Sequence, residues 1–207
     1  KLNNLCLPPP AMSISNESDA LDRADMEKLQ AGHAAALNSL MERHATPIFH
    51  FLCRMTGNED DANDLAQETF VRVFKSAASF HPDQKFSTWL FTIAANLARN
   101  LFRWRNRHPN VSLEADSAET EQSLDSTLPA NLPAPNEEIL TSERAKAVRV
   151  AVNNLPEDLR EAIVLCEWEE HSVAEAAKIL ETTPKAVESR LYRARQILRE
   201  RLKSWLN

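Results

Sequence analysis

Apolar residues recur along most of this chain at spacings of three and four, the period of an α-helix buried on one face. From about Leu21 to Thr56 the stretch "AALNSLMERHATPIFHFLCRM" keeps that spacing; Pro47 is expected to split it into two helices and Gly57 to cap its end. The next helix opens at "NEDDANDLAQETFVRVFKSA", with Asn58 as N-cap and Glu59, Asp60 and Asp61 in the first turn, where the helix dipole favours anions. Its buried stripe is expected at Ala62, Leu65, Ala66, Phe70, Val73, Phe74 and Ala77, which leaves Asp64, Gln67, Glu68 and Arg72 facing outward. "SFHPDQKF" reads as a loop because of Pro82 and Asp83, and a long helix is expected from about Ser87 to Arg107.

A second helical unit is predicted from near Asn136, with helices over 137–153, 157–169, 172–180 and 184–204, and Pro156 and Pro184 suit first-turn positions. Within it, "SVAEAAKILETTPKAVESRLYRARQILRERL" has the pattern of a helix-turn-helix. Ala176 and Ala177 are small where a second helix must approach, Thr183 can cap, and Val187, Leu191, Ala194, Leu198 and Leu202 form one stripe. The turn residue after Leu180 often needs φ > 0 and is often Gly in such motifs; Glu181 stands there, so strain or a different turn is expected. Few glycines and little polar–apolar alternation argue against sheets. The expected architecture is all-α: a disordered tail over 1–20, a helical domain over 21–108, an acidic Pro-rich linker over 109–136, and a helix-turn-helix domain over 137–207. Met12 reads as a start site behind the Pro-rich "KLNNLCLPPPA".

Charge changes the picture through its distribution. The formal net charge is −6, yet no acid lies between Asp83 and Glu114, and Arg99, Arg103, Arg105 and Arg107 fall in that window. Residues 110–143 carry eight acids and no Lys or Arg, whereas 181–207 carry seven bases and three acids. An acidic total with local basic patches is compatible with nucleic acid. Projected on a helix, Leu90, Ile93, Ala94, Leu97, Leu101 and Trp104 make a core face. Asn96, Arg99, Asn100, Arg103 and Arg107 share another strip, with Trp89 upstream on it, and Phe102 and Arg105 point elsewhere. Arginine and asparagine bind phosphates and base edges, and an adjacent Trp can stack an unpaired base. A solvated polar face is the competing reading, though such faces usually mix both signs of charge.

Other chemistries find little support. The six histidines show no HExxH or paired-ligand spacing, "EWEEH" lacks a Glu-x-x-His register, and "NEDDANDL" lacks the central Gly of a calcium loop. Neither metal nor cofactor nor enzymatic activity is expected. No apolar run reaches the roughly 18 residues of a membrane span, so direct membrane insertion is not expected. Three scattered cysteines without CxxC spacing fit a reducing cytoplasm.

Two segments carry a resemblance. "DDANDLAQETFVRVFKSAASF…FSTWLFTIAANLARNLFRWRNR" resembles the second region, and "LPEDLREAIVLCEWEEHSVAEAAKILETTPKAVESRLYRARQILRERL" the fourth region, of extracytoplasmic-function (group IV) sigma factors of bacterial RNA polymerase. The resemblance implies a promoter-specificity subunit whose partners are core polymerase (the β′ clamp, and β), promoter DNA and an anti-sigma factor. It implies that Asp61, Asp64, Gln67 and Glu68 dock on the β′ coiled coil. By the same likeness Phe80, His81, Lys85, Trp89, Asn96, Arg99, Asn100, Arg103 and Arg107 hold the melted −10 element. Lys185, Glu188, Ser189, Arg190, Tyr192, Arg193 and Arg195 read the −35 duplex. The acidic linker would pass through the polymerase's nucleic-acid channels; an ordinary solubilising tether is an equal reading of its composition.

Two residues depart from the family pattern. Asn63 stands where Glu is usual, and Glu188 where many members carry Lys or Arg. A carboxylate can accept from cytosine N4 but repels phosphate, so an altered −35 preference is expected. The runner-up function is an autonomous helix-turn-helix regulator with a helical sensor or dimerisation domain.

Overall fold

A computed structural model describes residues 16–108 and 135–205; the readings made for residues 1–15 and for the acidic linker up to residue 134 lie outside the described residues. The helices are α1 (Asn16–Gln30), α2 (Ala36–Thr56), α3 (Glu59–Lys75), α4 (Phe86–Arg107), α5 (Pro135–Asn153), α6 (Glu157–Ile163), α7 (Val173–Ile179) and α8 (Pro184–Arg201). Short 3₁₀ turns follow α3 and α8, and α6 runs on into a π turn over Val164–Trp168. No strand occurs among the described residues.

The local signals act as their chemistry dictates. Gly57 adopts φ 70° and its N–H closes on the Cys53 carbonyl, ending α2. The Asn58 side chain accepts from the Asp61 N–H and starts α3 behind three acids. Ser172 and Glu175 form a reciprocal capping box on α7, and Thr183 caps α8 ahead of Pro184. Glu181 has φ 52°, so the turn keeps the left-handed geometry and places a strained carboxylate residue in it.

Three expectations need correction. Helix α1 begins at Asn16, inside the stretch expected to lack structure. Its Asp22 is fully buried, accepting from Arg43 Nε at 2.8 Å, and His44 Nε2 lies 2.8 Å from its other oxygen. Asp25 accepts from Arg43 Nη2 at 2.7 Å and from Lys28 at 2.9 Å, and those contacts hold its carboxyl below the usual range against the opposing effect of burial. That network fastens α1 to α2. Second, α2 runs unbroken through Pro47, and the chain breaks instead at Gly32, with φ 92°. Leu40, His44, Ile48, Phe51 and Leu52 are all buried along α2, and this packing outweighs the local proline penalty of about 3 kcal/mol.

The third concerns α4 and α3. Trp104 is 43% exposed and stacks on His108, while Phe102 is buried, the reverse of the projection. Helix α4 is buried on two sides. Leu90, Ala94 and Leu97 form the expected stripe, and Phe91, Ala95, Ala98 and Phe102 form a second. Phe91 meets Phe51 of α2 edge-on at 5.2 Å and His171 of the C-terminal unit at 4.6 Å. The core is therefore continuous across both helical units. On α3, Thr69 is buried and Phe74 is half exposed, so the stripe is rotated from the one expected.

Candidate nucleic-acid and polymerase interfaces

Three faces carry the residues singled out by the sequence. On α3, Asp64 and Gln67 are exposed, as is Asn63. Glu68 accepts from Arg72 Nε at 2.9 Å one turn on, which draws its carboxyl below the ordinary range. Asp61 is not free: Arg105 of α4 donates to its carboxylate and locks the two helices together. The acid-free arginine run thus divides by function. Arg105 is structural, while Arg103 and Arg107 reach solvent.

The proposed −10 strip is split between open and covered positions. Asn100, Arg103 and Arg107 are exposed beside Trp104, on the rim of a groove floored by Leu97 and Leu101. Arg103 Nη2 donates to Asn100 Oδ1 at 2.7 Å. His81 is exposed in the loop before α4, but Phe80 is buried, with its ring 5.2 Å from Trp89 and 6.1 Å from Phe86. Trp89 is half-buried in this cluster.

The rest of the strip meets acids of the C-terminal unit. Arg99 Nε donates to Glu161 Oε1 at 2.7 Å, its Nη1 to Asn96 Oδ1 at 2.9 Å, and its Nη2 to the Ile179 carbonyl at 3.4 Å. Asn96 Nδ2 lies 3.4 Å from Glu181 Oε1. Lys85 Nζ sits 2.9 Å from Glu175 Oε1 and 3.7 Å from Asp19. Burial pushes the Glu161 carboxyl up despite Arg99, whereas hydrogen bonds from Lys85 and Ser172 overcome burial and bring Glu175 down to about 2.

Two further contacts join the units. Arg54 of α2 donates to Glu169 Oε1 at 2.9 Å; Glu169 is so deeply buried that its carboxyl rises to about 7, although Arg54 pulls the other way. Arg160 donates to the carbonyls of Met55, Asn153 and Leu155, and its guanidinium lies 5.8 Å over the Phe102 ring. A cation at the ends of α2 and α5 satisfies carbonyls that no helix turn can reach. The sequence carried no sign of the contacts made by Glu161, Glu169 and Glu175, and it marked Glu181 only as a turn residue. The only sign of Glu161 was an acid set into the apolar run "EAIVL".

The face of α8 that the resemblance assigns to the −35 element is open. Lys185, Glu188, Ser189, Tyr192 (63% exposed), Arg193 and Arg195 all reach solvent, and Arg190 is half-buried, 3.8 Å from Asp158. Arg195 Nε donates to Glu167 Oε1 at 3.1 Å, and Gln196 donates to Tyr192 Oη at 2.9 Å. Behind this face the expected stripe from Val187 to Leu202 is buried throughout.

Comparisons with known proteins agree with both units. Residues 40–108 match the family description Sigma-70 region 2, and residues 145–198 match Sigma-70, region 4. The chain is 34% identical over 182 residues to an ECF RNA polymerase sigma-E factor of Haemophilus influenzae, covering 87% of this chain and 95% of that protein. It is 31% identical over 179 residues to the ECF RNA polymerase sigma factor SigW of Bacillus subtilis, covering 86% and 95%. Among solved structures it resembles CnrH in complex with the cytosolic domain of CnrY (TM-score 0.64, 27% identity, 89% of this chain and 98% of that one). It also resembles the sigma factor RpoE in complex with the anti-sigma factor NepR from Bartonella quintana (TM-score 0.63, 25% identity, 80% and 96%).

Proposed function

Because the chain belongs to the extracytoplasmic-function sigma factors of bacterial RNA polymerase, we propose that its two basic faces divide promoter recognition between them. The observation that carries this reading is the pairing of an arginine face on α4, a helix with no acid of its own, with an exposed helix-turn-helix face on α8, in the order of the two matched regions. Lys185 to Arg195 enter the major groove of the −35 duplex, with the N-terminal part of α8 at the bases. Lys85, Trp89, Asn96, Arg99, Asn100, Arg103 and Arg107, with the loop carrying Phe80 and His81, hold the melted −10 strand. Melted bases offer π-faces and the strand offers phosphates, which these side-chain types bind.

The exposed Asp64 and Gln67, with Glu68, dock on the β′ clamp of core polymerase; Asp61 acts from behind through its grip on Arg105. The protein acts in the cytoplasm and catalyses nothing itself; bond formation belongs to the polymerase. No helix among the described residues is long and apolar enough to cross a membrane. An anti-sigma factor is the expected regulator, since RpoE was solved with NepR, an anti-sigma factor. The test is in vitro transcription from a promoter pool with core polymerase, followed by sequencing of the start sites. Initiation at a defined set of promoters by core plus this protein supports the reading. Tight duplex binding without core, and no initiation with it, supports an autonomous regulator instead.

A further inference from the structure

The loop between α3 and α4 presents an exposed tip, His81 to Asp83, in a turn that the Gln84 N–H closes on the His81 carbonyl. The tip hangs between two buried aromatic anchors, Phe80 and Phe86. Their rings lie 6.1 Å apart, and Phe86 meets the His44 ring of α2 at 5.1 Å. A buried ring fixes its own residue, but the peptide that follows can still turn about ψ.

Gln30 supplies the missing constraint. It is the last residue of α1, and its side-chain amide donates to the Ala77 carbonyl at 2.9 Å and to the Phe80 carbonyl at 3.0 Å. These acceptors stand 47 and 50 residues further along the chain, and they use both N–H groups of the amide. The Phe80 N–H already closes on the Ala77 carbonyl at 3.1 Å, ending the 3₁₀ turn Ala77–Ser79. With its carbonyl held as well, Phe80 is set at ψ 128°, the dihedral that aims His81. Docking of α1 does not depend on these bonds. Met26 and Leu29 are buried, Asp22 and Asp25 both bind Arg43, and Gln30 lies on the exposed side of the helix. At the far end of the loop, Lys85 Nζ lies 3.7 Å from Asp19 of α1. Helix α1 therefore meets the loop at both ends, although it precedes the residues matched to Sigma-70 region 2, which begin at 40.

We propose that Gln30 is a positioning residue for −10 recognition, its two bonds holding the loop of Phe80 and His81 in the geometry that receives a melted base. This rests on the −10 role proposed for that loop. A loop already in its bound geometry loses less conformational freedom when a strand docks. A loop without the clamp samples several geometries and discriminates less between bases. The effect therefore falls on which −10 sequence is opened.

The test uses holoenzyme reconstituted from core polymerase and the full chain, with wild type, Gln30→Met and Gln30→Asn. Met matches Gln in length and lack of charge but donates nothing; Asn keeps the amide but is one methylene too short to reach both carbonyls. Open complexes are read by permanganate footprinting on a promoter that wild type initiates from, and on copies of it with single −10 substitutions. The thermal midpoint of the free chain and its affinity for core are measured beside them. Gln30→Met should match wild type in midpoint and core affinity, and should lower the ratio of open complex on the cognate −10 to that on the substituted copies by about tenfold. Gln30→Asn should lower the ratio less, and carries the test if Gln30→Met does not fold. A merely structural role lowers the midpoint and reduces every promoter in proportion; that result, or an unchanged ratio, overturns the proposal. Wild type that opens all the substituted copies equally overturns the −10 role of the loop itself, so the two failures are distinguishable.

Discussion

Arg99 of α4 donates to the buried carboxylate of Glu161 on α6 at 2.7 Å, joining a residue of the proposed −10 strip to the unit that carries the proposed −35 reader. Burial raises the Glu161 carboxyl, so the pair gains less than its geometry suggests, and its stronger role is to penalise loss of either partner. A double-mutant cycle of Arg99→Ala and Glu161→Gln, followed by urea unfolding, should return a coupling above about 1 kcal/mol. Additive single effects would mean that the two side chains meet without interacting.

Arg103 and Arg105 sit two residues apart and do different things. Arg105 ties α4 to Asp61, so Arg105→Glu sets two carboxylates against each other and should lower the unfolding midpoint. Arg103 is exposed, so Arg103→Glu should leave that midpoint unchanged and reduce open-complex formation, read by permanganate footprinting with core polymerase. Equal open-complex defects in two equally stable variants would contradict this division.

The dependence of stability on pH should come from opposed groups. The Glu169 carboxyl is raised by burial to about 7, so its contribution is fully present below its ordinary value near 4.5 and is lost as pH rises through about 7. The His171 ring is lowered by burial to about 4, with Glu175 opposing and Lys85 assisting. Its contribution is therefore present above about 6.5 and lost as pH falls through about 4. Between pH 7 and 4.5 the two oppose each other. Glu169→Gln should make stability fall more steeply than wild type on that descent, and His171→Asn should make it rise, by differences on the order of 3 kcal/mol across the window. Urea midpoints at pH 7, 6 and 5 measure both; parallel curves for all three proteins would refute the assignment.

Glu181 holds a left-handed conformation at φ 52°, which costs a residue with a Cβ about 1 kcal/mol. Glu181→Gly should raise the midpoint of thermal unfolding by a few degrees. A lower midpoint would show that the contact with Asn96 outweighs the strain.

Glu188 faces solvent on the proposed −35 face of α8. Selection of promoters from a random library with wild type and with Glu188→Arg should yield different −35 sequences, because a carboxylate accepts from cytosine N4 and a guanidinium donates to guanine. Identical preferences would remove Glu188 from the reading surface.

The residue pattern by itself determined the helices and most of their ends. Capping by Asn58, Gly57, Ser172 and Thr183 and the stripe from Val187 to Leu202 depend on neighbours a few positions away, and short-range physics decides them. It also placed the exposed face of α8, because one buried stripe leaves the opposite side free. Tertiary structure decided the rest. Pro47 stays helical because five buried side chains of α2 hold it. Trp104 and Phe102 exchange their expected places because α4 is buried on two sides, and a single-stripe projection has no term for a second partner. Whether Arg99, Lys85 and Asn96 face solvent or acid was equally hidden. Glu161, Glu175 and Glu181 lie 62 to 90 residues further along the chain, and only the packing of one unit on the other brings their charges within reach.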